Sequence, residues 1–222
     1  MITKFPSPQR QLKPLKVELS LHQDADREMA EENREWVRWI FQSIRVRCLG
    51  MAFHSEATER SALIEDWMKF IEQSWLPILA PALLQGWQEA VKGDQAALLR
   101  LNVALSQQLS DDARTRSLEA GAILMKQTSG ARYQGVLGRF RQIHLEEAAE
   151  VHAVMVWSCI AVLFQLPLPD VLNEYLREEW LAGSQSCHHR DEPHGQLSFG
   201  ALTHRVMREG GMVEFEIKVE AN

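Results

Sequence analysis

Two stretches of the chain carry side chains that can do chemistry. The first is Cys187-His188-His189-Arg190-Asp191-Glu192-Pro193-His194, which places a thiol, three imidazoles and two carboxylates within eight residues. These are the soft and borderline donors that nickel or zinc accepts, so Cys187, His188, His189 and His194 are the candidate metal ligands. The spacing matches no closed zinc or nickel signature, and adjacent His188 and His189 do not easily reach one ion together, so a solvated loop remains the other reading. The second stretch is His144, Glu147 and His152. On one continuous helix, at about 100° per residue, the three share a broad face and form a candidate ligand set or general base. The alternative is an acid-rich first turn complementing the helix dipole, with one histidine buried and hydrogen-bonded.

Other chemistry is missing from the sequence. There is no G-x-x-x-x-G-K-[ST], G-x-G-x-x-G, H-E-x-x-H or G-x-S-x-G motif, and no Cys-x-x-Cys pair. The expectation is therefore a non-enzymatic protein without a cofactor. Cys48, Cys159 and Cys187 are odd in number and far apart, which fits a reducing compartment and not a disulfide framework.

These residues need elements to position them. The chain has 222 residues, 45% of them hydrophobic and 24% charged, the balance of an ordinary globular protein able to fold without metal or disulfide. The net charge of −6 argues against general nucleic-acid binding. No stretch is apolar for the roughly 20 residues a membrane span requires, and the basic N-terminus lacks an apolar signal core. The expected location is cytoplasmic, with no membrane and no nucleic acid among the partners.

Prolines at 6, 8, 14, 77, 81, 167, 169 and 193 leave long proline-free stretches, and glycine is sparse. The predicted fold is mainly α: a single-domain helical bundle of about seven helices, with short strands at both termini. Residues 1–23 form an N-terminal extension with a strand at Val17, Leu19 and Leu21; residues 24–182 form the helical domain. Residues 183–222 hold the Cys/His loop, a short helix and a strand alternating Val213, Phe215, Ile217 and Val219.

Within the body, the first helix runs from Asp24 or Asp26 to about Arg47, with Trp36, Val37 and Ile40 facing inward. A second, 58–73, is interrupted at Leu76-Pro77. A third ends at Gly93 and Asp94 caps the fourth, while Ser110 or Asp111 opens a fifth with Ser117, Ala120 and Gly121 on a small-residue face. A glycine loop follows, with Gly130, Gly135 and Gly138. The most apolar helix, 145–164, is predicted to be central, and Gly121 to make close backbone contact with it. The tryptophans read as packing residues.

Charge is segregated along the chain. From Arg100 to Ile143 seven basic residues face three acidic ones, whereas from His144 to Ala182 seven acidic residues accompany Arg177 alone. Such polarity can steer a protein partner, or simply solvate ordinary faces.

The middle of the chain resembles the urease accessory protein family UreF. The similarity is carried by Trp75-Leu76-Pro77, by Leu83-Leu84-Gln85-Gly86-Trp87, and by Gly93-Asp94 ahead of a leucine-rich helix. It continues in Arg114, Arg116, Ser117, Glu119, Gly121 and Leu124, then in His152 opening an apolar helix that ends at Leu166-Pro167-Leu168-Pro169-Asp170, followed by Tyr175-Leu176. Gly50, Phe53, His54 and Ser55 resemble a glycine-aromatic-His/Tyr-Ser segment of that family. The chain departs from the family at Glu56-Ala57, and the Cys187–His194 loop stands where the family has a basic-Leu-Val-Pro-x-Gly-Gln segment. The resemblance implies an all-α, non-enzymatic scaffold or accessory chaperone that bridges metalloenzyme maturation factors, with a nickel-delivering GTPase and an apo-enzyme complex as partners and a homodimer compatible with it. The alternative is a helical adaptor or regulatory subunit of an unrelated multiprotein complex.

Overall fold

A computed structural model describes residues 34–40, 51–128, 135–147 and 149–209. The described residues are mainly helical and contain no strand; the predicted strands near 17–21 and 213–219 lie outside them. A short α1 (34–40) is followed by α2 (Arg60–Phe70), a wide-turned segment Ile71–Leu79, α3 (Ala80–Lys92), α4 (Gln95–Gln108) and α5 (Asp111–Gln127). Then come α6 (Gly135–Glu147), α7 (Ala153–Leu163), α8 (Leu168–Gly183), a single 3-10 turn Gly195–Leu197 and α9 (Phe199–Glu209).

Helix ends follow local chemistry. Gly93 stops α3 in the left-handed region at φ 74°, its N–H reaching Ala90 O at 3.1 Å while Asp94 N–H reaches Glu89 O at 3.0 Å. This paired closure satisfies carbonyls that the helix end leaves open. Asp94 then starts α4, its carboxylate accepting from Ala97 N–H at 2.9 Å. Ser110 does the same for α5 through Ala113 N–H at 3.4 Å, and Asp111 and Asp112 complement the helix dipole in the first turn.

Three sequence expectations give way. Leu76-Pro77 does not interrupt the chain's helical path: Ile71–Leu79 takes π-helical turns that join α2 to α3, with Pro77 inside. A wider turn relieves the clash of the proline ring with the preceding carbonyls and absorbs the missing N–H. The predicted 145–164 helix is two elements, since α6 ends at Glu147 and α7 begins at Ala153. Gly135 and Gly138, predicted in a loop, belong to α6.

α7 is the buried centre, as its composition requires: every residue from Ala153 to Ala161 is buried. α3, α5 and α6 pack around it. Small residues set the spacing. A Cβ on Gly86 would come within 3.0 Å of Ser158 Oγ, and one on Gly121 would lie 1.8 Å from Val151 O. Trp67, Trp75, Trp157 and Trp180 fill the core, while Trp36 and Trp39, expected to pack, are 50% and 56% exposed. On α1 it is Val37 and Ile40 that turn inward.

Candidate functional site

Ser117 and Gly121 stand four residues apart on α5, and both are buried against the residues that lead into α7. The bare Gly121 backbone admits the Val151 carbonyl, which brings His152 into the body of the protein. His152 is fully buried. Its Nε2 lies 2.7 Å from Ser106 Oγ on α4 and its Nδ1 3.1 Å from Ser117 Oγ. Its backbone N–H donates to Asn102 Oδ1 at 2.8 Å, and Asn102 Nδ2 donates in turn to Glu150 O at 2.8 Å. Hydroxyls donate or accept, so either tautomer of a neutral imidazole is satisfied here. Burial, with the charge of Arg114 added, lowers the His152 pKa from 6.5 to about 4, so the ring is neutral at physiological pH.

This geometry separates His144 from His152; the side chain of Glu147, the third of the predicted trio, lies outside the described residues. His144 is half-buried near the end of α6, with Nδ1 against Ala149 O, whereas His152 caps α7 and points into the α4–α5 seam. A shared face required one continuous helix, and the break between α6 and α7 removes it. Beside the seam lies a cleft of about 750 Å³ lined by residues including Arg114, Glu119, His144 and Glu150.

A second polar centre was not singled out from the sequence. Glu179 is a fully buried carboxylate on α8, and its Oε2 accepts from Ala52 N–H at 2.8 Å and Phe53 N–H at 2.9 Å. Ser55 N–H donates to Gly183 O at 2.8 Å, and the Phe53 ring packs among Trp67, Phe70 and Trp180. Gly183 permits this contact, because a Cβ there would meet Phe53 atoms at 2.4–2.8 Å. Burial raises the Glu179 pKa to about 7, against the pull of the two backbone N–H donors, the Tyr175 hydroxyl and the charge of Arg116. The sequence signal was present in the four-residue spacing of Tyr175, Glu179 and Gly183, which puts an acid on the inward face of α8.

The Cys187–His194 loop is held from behind. Arg60 donates to the carbonyls of His189 (3.1 Å), Asp191 (3.1 Å) and Glu192 (3.4 Å), and Trp180 Nε1 donates to Arg190 O at 2.9 Å. Cys187 is buried with Sγ 3.6 Å from His189 O, while His188, His189 and His194 are exposed. The structure thus buries Cys187 and leaves the three histidines exposed. Among the described residues, no three His, Cys, Asp or Glu side chains are gathered closely enough to hold a metal ion.

Fold and sites together define a protein, mainly helical over its described residues, in which buried polar side chains fasten backbone segments. The UreF family model matches residues 58–206, from just before α2 into α9, and the chain belongs to that family. UreF proteins are urease accessory proteins that take part in maturation of a nickel enzyme. No curated protein and no solved structure matches the chain. Among the described residues, no helix is long and apolar enough to cross a membrane.

Proposed function

We propose that this protein is a non-enzymatic, cytoplasmic scaffold that bridges partners during nickel-enzyme maturation, joining a nickel-delivering GTPase to an apo-enzyme complex. The observation that carries this reading is the extent of the family match, which covers the helical body from α2 to α9. The segregated charge supports it: basic residues dominate from Arg100 to Ile143 and acidic ones from His144 to Ala182, a polarity suited to steering a protein partner. The test is co-expression of the tagged chain with the urease structural and accessory proteins of its own organism. Recovery of the GTPase and the apo-enzyme together on the chain, and loss of urease activation when the chain is omitted, is the expected result. Recovery of one constant partner with no connection to nickel would replace this reading with the helical adaptor.

A further inference from the structure

α1 rests on α8 with its charges in register. Arg34 Nε lies 3.6 Å from Asp170 Oδ1, and Arg38 Nε lies 3.7 Å from Glu174 Oε2. Both pairs are four residues apart, a rise of about 6 Å on each helix, so one turn of α1 runs alongside one turn of α8. Val37, one residue before Arg38, is fully buried, and so nearly is Ile40. The α1 arginines are about half-exposed, while the carboxylates they meet are 15% and 5% exposed. On the outer side of α1, Trp36 and Trp39 stack on each other at 5.1 Å.

Among the described residues, Arg177 is the cation that the seat keeps without α1. Arg177 donates to both oxygens of Glu174, at 2.9 and 2.7 Å, and to Glu178 at 2.8 Å. With α1 in place, the carboxylates of Asp170, Glu174 and Glu178 meet three guanidinium groups; with α1 lifted, Arg177 stays on Glu174 and Glu178 while Asp170 loses Arg34. Each α1 pair is long, at 3.6 and 3.7 Å, and its half-exposed arginine leaves it open to screening by salt. Among the described residues α1 is held by these two pairs and by Val37 and Ile40, and what it vacates on release is a seat already shaped for a basic amphipathic helix.

We propose that α1 is a releasable strap, and that its seat on α8 takes a basic amphipathic helix from a protein partner, which displaces α1. The chemistry of that helix is copied from the occupant: Arg or Lys at positions i and i+4, with aliphatic residues at i+3 and i+6. The inference does not depend on which assembly the chain serves, and its test needs no urease component.

In the full chain, amide hydrogen exchange at 34–40 reads the seating of α1, and the amides of α7 report that the body stays folded. Arg34→Glu with Arg38→Glu should speed exchange at 34–40 by about tenfold, as should raising salt well past the screening of surface pairs. Adding Asp170→Arg to Arg34→Glu should restore part of the protection that Arg34→Glu alone removes. A labelled synthetic peptide of residues 24–47 then stands in for the partner helix. It should bind the Arg34→Glu/Arg38→Glu chain about tenfold tighter than the parent, because the seat is empty, and binding should weaken with salt. Exchange at 34–40 indifferent to charge and salt, a reversed pair that fails to restore protection, or a peptide that binds both chains equally or neither, would each overturn the proposal.

Discussion

His152 and the trio His188, His189 and His194 set two uses of one side chain side by side. His152 lies at a helix break, fully buried, with a polar partner on each ring nitrogen and another on its backbone N–H. The loop histidines are exposed, and the hydrogen bonds that organise their segment run through backbone carbonyls to Arg60 and Trp180. In the seam the histidine is the fastener; in the loop the histidines are what is displayed. A run of ligand-type residues in sequence therefore says little about convergence in space, because the backbone decides where each side chain points.

If that contrast holds, damage at the seam should reach the whole fold. Gly121→Ala is the sharpest case: the added Cβ would sit 1.8 Å from Val151 O and 2.8 Å from Val151 C, both backbone atoms that no rotamer can move. Alanine is favoured over glycine in a helix by about 1 kcal/mol, so a gain in stability is the outcome if the site can relax. The expected outcome is a loss of about 3 kcal/mol, at the upper end of ordinary overpacking. Chemical denaturation measures it directly, and an alanine variant as stable as the parent would show that α5 does not touch the entry to α7.

The second seam prediction uses pH. With His152 lowered to about 4 in the folded chain and near 6.5 when unfolded, the unfolded state takes up the proton first as pH falls. The contribution of His152 is complete above about pH 6.5, is lost progressively down to about pH 4, and amounts to about 3 kcal/mol over that window. Glu178 and Glu179, both raised to about 7, act in the opposite sense: their folded forms bind protons more readily, and stability is lost as pH rises through 7. Comparison with His152→Gln separates the two. The stability gap between parent and variant should narrow from pH 7.5 to pH 4.5; a gap that stays constant would mean that His152 titrates normally and is not buried neutral.

Much of the fold was legible before the structure. The apolar run from Ala153 marks α7 as the buried element, the Gly93-Asp94 pair and Ser110 mark helix ends by known cap chemistry, and Gly121 announces a close backbone approach. The family resemblance is borne out over α2 to α9. What escaped is long-range. Pro77 reads as a stop because proline breaks an α-helix, and nothing local says that the turn will widen to π geometry. The stretch from His144 to Val151 has helix-compatible composition, and its break is imposed by contacts to Asn102 and Gly121 from other helices. Glu179 hid within an acid-rich stretch, although its inward spacing was visible. Arg60, some 130 positions from the carbonyls it holds, left no sequence signal at all. Trp36 and Trp39 mislead for the opposite reason: an aromatic pair at i, i+3 looks like core until the facing side of the helix, with Val37, takes that place.

The smallest expected effect belongs to the loop, and it tests the other half of the contrast. Arg60→Ala removes three hydrogen bonds to backbone carbonyls, all at the exposed surface, where water replaces each donor at little cost. Trp180 Nε1 still holds Arg190 O, and Glu192 still accepts from Phe199 N–H at 3.2 Å, so both ends of the loop keep an anchor. Global stability should fall by about 1 kcal/mol or less, a melting shift of about 2–4 °C for a chain of this size. The local change should be larger than the global one: amides from His188 to Glu192 should exchange faster while those of α5 and α7 keep their protection. A variant that melts as early as Gly121→Ala would make the loop part of the core and erase the distinction. One whose loop amides are unchanged would shift the hold on those carbonyls from Arg60 to Trp180 alone.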